Sequence, residues 1–330
     1  MTEPSLLRWG IIGPGRIAAE FARALQFVEN SQLQAVSGRS KSKVEAFART
    51  HGVAQCYDSH YALLHNPDVD VIYIATPHRY HYELARECLL AGKPVLCEKP
   101  LTVNAAQAQS LIELSRQQGV FLMEALWTRF LPIYEDIRQW LASGEIGREQ
   151  SISSSFGFEF PRDPHGRLLN RELAGGALLD LGVYNLAMTQ WVLGVQPDSH
   201  VIDGFIGETG VDEHDEVTLF YADGCTSTFS ISLTQQLSND FVIQGERGCI
   251  RIHPMFWSAT RATLLVNDSE QSTTLSRGFR ATGLEYEIEA VARCIRGRLI
   301  ECPQMPHKAT LETIQLMDQL RRDMGLRYSF

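Results

Sequence analysis

The stretch LRWGIIGPGRIAAEF, residues 7–21, decides how the rest of the chain is read. Its opening, LRWGII (7–12), reads as a strand buried on both faces. GPGRI (13–17) follows, and AAEFARALQFV then reads as a helix. Gly13-x-Gly15-x-x-Ala18 fits the G-x-G-x-x-G/A loop that joins a strand to a helix and cradles a pyrophosphate. Gly13 permits the tight turn, Gly15 lets the backbone approach a phosphate, and Ala18 keeps helix and strand close. The helix N-terminus adds N–H donors and partial positive charge. A bare glycine turn needs no ligand, but the strand before and the helix after favour binding.

Beyond this stretch the alternation repeats. Residues 33–37 and 69–75 read as strands, as do Pro94–Cys97 and Val120–Met123. Helical patterns fall at 41–50, about 79–91 (ending at Gly92) and 104–118. Strands that alternate with helices imply an α/β fold, a doubly wound parallel sheet with helices on both faces, over residues 1–125. The pattern then changes. Residues 129–143 read as a helix, 148–160 as a strand, and GGALLDLGVYNLAMTQWVLG (175–194) as a helix opened by a glycine pair. Strand patterns follow at 201–207, 215–222, 225–234, 240–245, 248–252 and 261–267, with hairpin chemistry at Ala222-Asp223-Gly224 and Glu246-Arg247-Gly248. Helices at about 283–297 and 307–324 close the chain. Residues 126–330 are therefore expected to form an α+β domain with a large, mainly antiparallel open sheet, its C-terminal helix packing back on the first domain.

Composition limits the partners. A chain of 330 residues is long for one core, which agrees with two domains. The net charge of −9 argues against nucleic-acid binding. No apolar run approaches the ~18 residues of a membrane span. The opening MTEPS lacks the design of a secretory signal. Seven cysteines without C-x-x-C spacing read as free thiols in a reducing cytoplasm, so no metal site is expected. Asn267-Asp268-Ser269 matches a glycosylation acceptor, a motif common by chance.

The second strand ends in SGRSKSK (37–43), where an NAD-preferring loop usually carries an acid. Cations and hydroxyls stand there instead. Arg39 suits adenine stacking and a 2′-phosphate, and Ser40 and Lys43 add donors, so NADP is expected, with NAD as the alternative. A solvated helix start also favours Ser and Lys.

Ligands in such sheets sit at the carboxyl ends of the strands. Three ends matter here: Gly13–Ile17 with Arg16, ATPHRYH (75–81), and Cys97-Glu98-Lys99-Pro100. Pro100 keeps Lys99 out of helical conformation and limits where its amine points. His78 and His81 are two metal-ligand types without a third.

GPG (13–15), Thr76-Pro77-His78-x-x-His81, AGKPVLCEKP (91–100) and GGALLDLG (175–182), in that order, resemble the glucose–fructose oxidoreductase / inositol dehydrogenase / MocA family over the whole chain. LMEALWTRF (122–130), LLDLGVY (178–184), ETGVD (208–212) and QLSN (236–239) are similar to one branch, the dimeric dihydrodiol dehydrogenases, also known as NADP-dependent D-xylose dehydrogenases.

The resemblance implies a Rossmann domain and an NADP-dependent oxidoreductase acting on a CH–OH group of a cyclic polyol, a D-xylose-type aldose or a trans-1,2-dihydrodiol. It implies that Lys99 and Tyr184 converge on the substrate hydroxyl, with hydride leaving the carbinol carbon for the nicotinamide. Asp180 and Tyr184, at i and i+4, share a helix face. A phenol titrates near pH ~10, and a nearby ammonium lowers that value, so Tyr184 is the expected general base. Which of the two takes the proton first stays open.

By the same resemblance Thr76, Pro77, His78, His81 and Glu98 contact the cofactor, Glu98 at the nicotinamide ribose. Trp127 and Arg129 are expected at the domain junction, where Arg129 either binds cofactor or pairs with an acid. Asp180, Trp127, Phe158, Trp257 and Phe279 are the candidate substrate contacts, each aromatic alone being more often ordinary core. A homodimer through the C-terminal sheet is implied, with an apolar open side to be covered. The rival readings are a relative acting on an inositol, an anhydro-sugar or a nucleotide sugar, and a non-catalytic NADP-sensing regulator.

Overall fold

The computed structural model describes residues 6–267, 269 and 272–330. The N-terminal MTEPS and Asp268 of the acceptor motif lie outside the described residues. The opening stretch forms β1 (Leu7–Ile12) and α1 (Arg16–Leu25), with Gly13 and Pro14 in the turn. The chain continues through β2 (Ser31–Ser37), α2 (Lys41–His51), β3 (Gln55–Tyr57), α3 (His60–Leu64), β4 (Val71–Ile74), α4 (His81–Leu90), β5 (Val95–Glu98), α5 (Ala105–Gln118) and β6 (Leu122–Ala125). All six strands are parallel, in the order β3-β2-β1-β4-β5-β6.

The central strands are apolar because both faces are covered: Trp9, Ile11, Ile12, Val71–Ile74 and Val95–Cys97 have no exposed surface. Trp9 meets Phe21 of α1 edge-on at 5.1 Å, and Phe21 stacks on Tyr73 at 3.9 Å. Each such buried side chain contributes about 1.5–3 kcal/mol, so burial holds the doubly wound sheet without help from strand length. Two elements were not legible in advance. β3 is only QCY and half-buried at the sheet edge, and α3 has five residues. Neither is long enough to show a period.

Next come α6 (Pro132–Ala142), β7 (Glu149–Gly157) and a π-helical turn, Leu178–Gly182, that runs into α7 (Val183–Leu193). The strands β8 (Ser199–Ile206), β9 (Asp212–Phe220), β10 (Thr226–Ser232), β11 (Phe241–Gly245), β12 (Gly248–Ile252), β13 (Arg261–Val266) and β14 (Ser272–Ser276) follow, then α8 (Glu285–Arg296) and α9 (His307–Asp323). The eight-stranded sheet has the order β14-β13-β12-β11-β7-β10-β9-β8. It is antiparallel except where β10 runs parallel to β7.

One expectation about this sheet is corrected. The outward face is not generally apolar: Ser151, Ser153, Thr218, Thr226, Thr228 and Thr263 stand on it in register. Among the described residues of these strands, the exposed large apolar side chains are Val201, Phe205, Ile206 and Phe220 at one edge and Leu265 toward the other. Threonine and serine fit a pleated surface while keeping it wettable, so water satisfies most of this face.

The chain divides into two compact units: the described residues up to Trp127 with Phe279–Thr310, and Thr128–Gly278 with Leu311–Phe330. The sequence reading cuts the chain once, near residue 125. Here α8 and the residues around it belong to the first unit, and the end of the chain belongs to the second. Among the described residues no helix is long and apolar enough to cross a membrane.

Candidate active site

In the first unit the turn after β1 is built to expose its backbone. Gly13 has φ +96°, and a Cβ there would lie 2.9 Å from Ala75 O. At Gly15 nothing lies within 4 Å of where a Cβ would stand, so the backbone is open to a ligand. Gly15 occupies the N-cap of α1, and Arg16 and Ile17 begin the helix. Thr76, at the end of β4 beside Pro77, has a buried hydroxyl without a partner among the described residues. An open glycine, a helix N-terminus and an orphaned hydroxyl suit a pyrophosphate, so the residues fit a nicotinamide dinucleotide.

Arg39 is exposed just past β2, with its guanidinium 5.1 Å from the centre of the Tyr80 ring. Ser40 caps α2 and lies 3.2 Å from Ser42 Oγ, and Lys43 is exposed on the first turn. Arg39, Ser40 and Lys43 are therefore together at one strand end.

The turn that carries Lys99 is held from three sides. Tyr73 Oη donates to Glu98 Oε1. Leu101 N donates to Glu124 Oε1 at 2.9 Å, and Thr310 Oγ1 donates to the other carboxylate oxygen at 2.9 Å. His81, fully buried, sets Nδ1 2.9 Å from Pro100 O and Nε2 2.8 Å from Thr76 O, joining the ends of β4 and β5. Burial pushes its pKa down to about 4 against the pull of these carbonyls, so at neutral pH the ring donates to one of them.

His81 thus clamps the two loops through their backbone carbonyls. His78 is also buried, with its ring 5.8 Å from that of His81. Lys99 is half-buried, and the Lys99–Pro100 peptide is cis. Below Glu98 lies Glu287 of α8, fully buried, with neither oxygen paired among the described residues. Burial first, and then the charge of Glu98, raise its pKa well above the carboxylate range.

Trp127 and Phe279 pack together at 6.2 Å. A Cβ on Gly283 would lie 2.6 Å from the Trp127 ring, and its φ of +93° also calls for glycine. Glu285 fixes this loop by accepting from the backbone N–H groups of Arg280, Ala281, Thr282 and Gly283.

In the second unit Tyr184 stands on the first turn of α7, 6% exposed, its ring 5.7 Å from Phe156. Phe156 stacks on Trp257 at 3.5 Å, and Phe158 meets Trp257 edge-on at 5.8 Å. Phe158 and Trp257 therefore join Tyr184 in one aromatic cluster through Phe156. Phe279, another candidate substrate contact, belongs to the first unit beside Trp127.

Asp180 lies within the π-turn, so its step to Tyr184 crosses a widened turn and not the regular helix assumed from the spacing. Its buried carboxylate is forked by Arg167 at 2.7 and 3.2 Å. Arg129 is buried and donates through Nη2 to Ala187 O (2.8 Å) and Gln190 Oε1 (3.2 Å). These partners are a carbonyl and an amide of α7. Asn185, beside Tyr184, is fully buried and donates to Ser154 Oγ at 2.8 Å.

Sequence reasoning passed over Glu124, Phe156, Arg167, Asn185 and Glu287. Glu124 lay inside a quoted motif, as the one charge in an apolar strand, and that signal was available. The others gain meaning only from distant partners.

The fold and these strand ends define a nicotinamide-binding oxidoreductase architecture. Residues 7–126 match the model of an oxidoreductase family with an NAD-binding Rossmann fold, and residues 134–251 match the GFO/IDH/MocA C-terminal domain. The chain belongs to the GFO/IDH/MocA oxidoreductase family.

It is 37% identical to a trans-1,2-dihydrobenzene-1,2-diol dehydrogenase of Xenopus tropicalis over 330 residues, 97% of this chain and 99% of that one. Against the Homo sapiens protein of the same name, identity is 34% over 332 residues, covering 98% of each chain. Among solved structures, KijD10, a 3-ketoreductase from Actinomadura kijaniata in complex with NADP and TDP-benzene, aligns with a TM-score of 0.83 at 26% identity, over 96% of this chain and 97% of that one. An aldose–aldose oxidoreductase from Caulobacter crescentus shares the fold with a TM-score of 0.87 at 21% identity, over 97% of this chain and 98% of that one.

Proposed function

We propose that this chain is an NADP-dependent dehydrogenase of a cyclic polyol, either a D-xylose-type aldose or a trans-1,2-dihydrodiol. The observation that carries this reading is the end-to-end similarity to dihydrodiol dehydrogenases. It comes in a chain that carries an amine just past β5 and a phenol on the first turn of α7. A pyranose and a cyclohexadiene diol both present vicinal hydroxyls on a six-membered ring, so one pocket suits both.

Bound nicotinamide would supply the hydride acceptor. Tyr184 Oη takes the proton of the substrate hydroxyl, and the Lys99 ammonium orients that hydroxyl and favours the phenolate. Asp180, Trp127, Phe158, Trp257 and Phe279 are assigned to the substrate. Gly13, Gly15, Arg16, Ile17, Thr76, Pro77, His78 and Glu98 are assigned to the cofactor. His81 acts on the cofactor loops through backbone carbonyls.

Arg39, Ser40 and Lys43 support NADP over NAD, because cationic and hydroxyl donors suit a 2′-phosphate and repel nothing there. The free thiols support a reducing, cytoplasmic setting. The exposed Val201, Phe205 and Phe220 support a homodimer through the eight-stranded sheet.

The test is a panel of aldoses, inositols, cyclic diols and nucleotide sugars with NADP and NAD, followed by absorbance of the reduced cofactor, with light scattering on the same preparation. Turnover of an aldose or diol with NADP, by a dimer, is expected. Turnover with NAD alone would overturn the Arg39 argument, and binding of NADP without turnover of any polyol would favour the sensing regulator.

A further inference from the structure

Two carboxylates of the second unit, Asp212 and Asp215, are buried without an arginine partner among the described residues, and two other buried carboxylates of that unit show the alternative. Glu213, 1% exposed, is forked by Arg162 at 2.6 and 3.0 Å, and Asp180 is forked by Arg167. Asp212 and Asp215, on either side of Glu213 along β9, have no exposed surface, and neither joins an ion pair among the described residues.

Asp212 sits directly beneath the glycine pair. Its Oδ2 accepts from Leu178 N, the first residue of the π-turn, at 2.5 Å. Its Oδ1 lies where a Cβ on Gly176 would be, 2.1 Å from that position, and Gly176 has φ +117°. The second glycine of the pair is therefore required by this carboxylate. Oδ1 itself receives no N–H or O–H from another described residue.

Asp215 is equally placed to give rather than receive. Neither of its oxygens meets an N–H or O–H donor among the described residues. On β8 its neighbour is Gly204, where a Cβ would be 2.8 Å from Asp215 Oδ1, and on β10 it is Ile231. The other titratable or charged groups around the pair are Arg321 of α9 and Tyr328 of the C-terminal tail. Arg321 is bonded to Asp318 and lies 5.2 Å from the Tyr328 ring, and Tyr328 Oη donates to Gly175 O. His214 is paired with Glu216 at 3.4 Å.

Two fully buried carboxylates that feel one another's charge, with no cation among the described residues paired to either, cannot both be charged. We propose that Asp212 and Asp215 hold one proton between them, Asp215 donating it to Asp212 Oδ1, and that this acid–carboxylate pair is the positioning element for the turn carrying Asp180 and Tyr184. Asp212 then presents a full negative charge to Leu178 N–H at the N-terminal end of the helix, where such a charge is favourable. Burial and the charge of Asp212 act in the same direction, holding the Asp215 proton up to about pH 10. The catalytic arm of this inference rests on the assignment of Tyr184 to the reaction. The proton and the anchor do not.

The experiment compares the full-length wild type with Asp215→Asn, whose amide still donates, and Asp215→Val, which cannot donate. Between the unfolded value of 3.8 and about 10 the folded chain keeps a proton that the unfolded chain has released, so stability is greatest at low pH and is lost as pH rises. This group alone shifts the folding equilibrium tenfold per pH unit. Urea denaturation at about pH 6 to 9 should therefore show the wild-type slope reduced by about one proton in Asp215→Asn. The infrared C=O stretch of a protonated acid at about pH 8 should lose intensity in the same variant.

Hydrogen exchange should find the Leu178 amide protected in the wild type and in Asp215→Asn, and opened in Asp215→Val. Turnover should stay within about threefold in Asp215→Asn and fall about tenfold or more in Asp215→Val, with NADPH affinity unchanged. Equal pH slopes and an unchanged infrared spectrum in Asp215→Asn would overturn the shared proton. A Leu178 amide left protected in Asp215→Val would overturn the anchor. A wild type that turns over no polyol would overturn the proposed function, while denaturation, infrared and exchange still decide the pair.

Discussion

In the first unit Lys99 stands at the end of a parallel strand, and in the second Tyr184 stands on the first turn of a helix. The strand end is fixed by His81 on Pro100 O and Glu124 on Leu101 N, which hold its backbone, and by Tyr73 on the Glu98 carboxylate. The helix start is fixed by burying carboxylates beneath it and widening its first turn. A parallel sheet offers a functional side chain wherever a strand runs out, since its helices leave the carboxyl ends open. An antiparallel sheet has no such rim. The second unit brings its side chain to position with a π-turn, the kind of irregularity that recurs at functional sites.

The largest effect should come from the two groups themselves. Lys99→Met and Tyr184→Phe are each expected to lower kcat by about 10²–10⁴, with NADPH affinity within about threefold of wild type, as read by steady-state kinetics and fluorescence titration. If only one of them matters, the comparison between strand end and helix turn no longer concerns one reaction.

A middle effect should separate the two glycine sites. Gly176→Ala places a Cβ 2.1 Å from Asp212 Oδ1 at a φ of +117°, and should cost about 2–4 kcal/mol in urea denaturation. Gly15→Ala meets nothing within 4 Å, so stability should hold within about 1 kcal/mol while cofactor affinity drops. Equal destabilisation by both would erase the distinction between a glycine kept for a ligand and one kept for a carboxylate.

The smallest effect on turnover should come from Glu287→Gln, within about twofold at neutral pH, since glutamine mimics the protonated acid. Glu287 has a raised folded pKa, so its contribution is present at low pH and lost as pH rises above the unfolded value of about 4.3. The variant's stability advantage should therefore grow with pH, measured by thermal denaturation across the alkaline range. A constant difference would mean that Glu287 is ionised in the fold.

Much of the first unit was legible because its signals are local. LRWGII announces β1 by composition, GPG announces the turn by conformation, and CEKP places Lys99 by the run of apolar residues before it. The second unit was legible only as strands and helices. Nothing around Asp180 points to Arg167 across the loop, and nothing around Gly176 points to Asp212 on a later strand. Phe279 read only as one of several candidate aromatic contacts, because aromatic composition carries no address, and its packing on Trp127 shows only in the fold.

By itself the sequence determined the strand–helix alternation, the phosphate-type loop, and the presence of an amine and a phenol in family-like surroundings. These follow from periodicity and backbone preference, which act over a few residues. Only the tertiary structure decided that α8 belongs with the first unit, that a π-turn opens α7, and which buried acids receive an arginine. Those outcomes depend on pairing groups far apart in the chain, where burial makes an unpaired charge too costly to keep and forces a partner or a proton upon it.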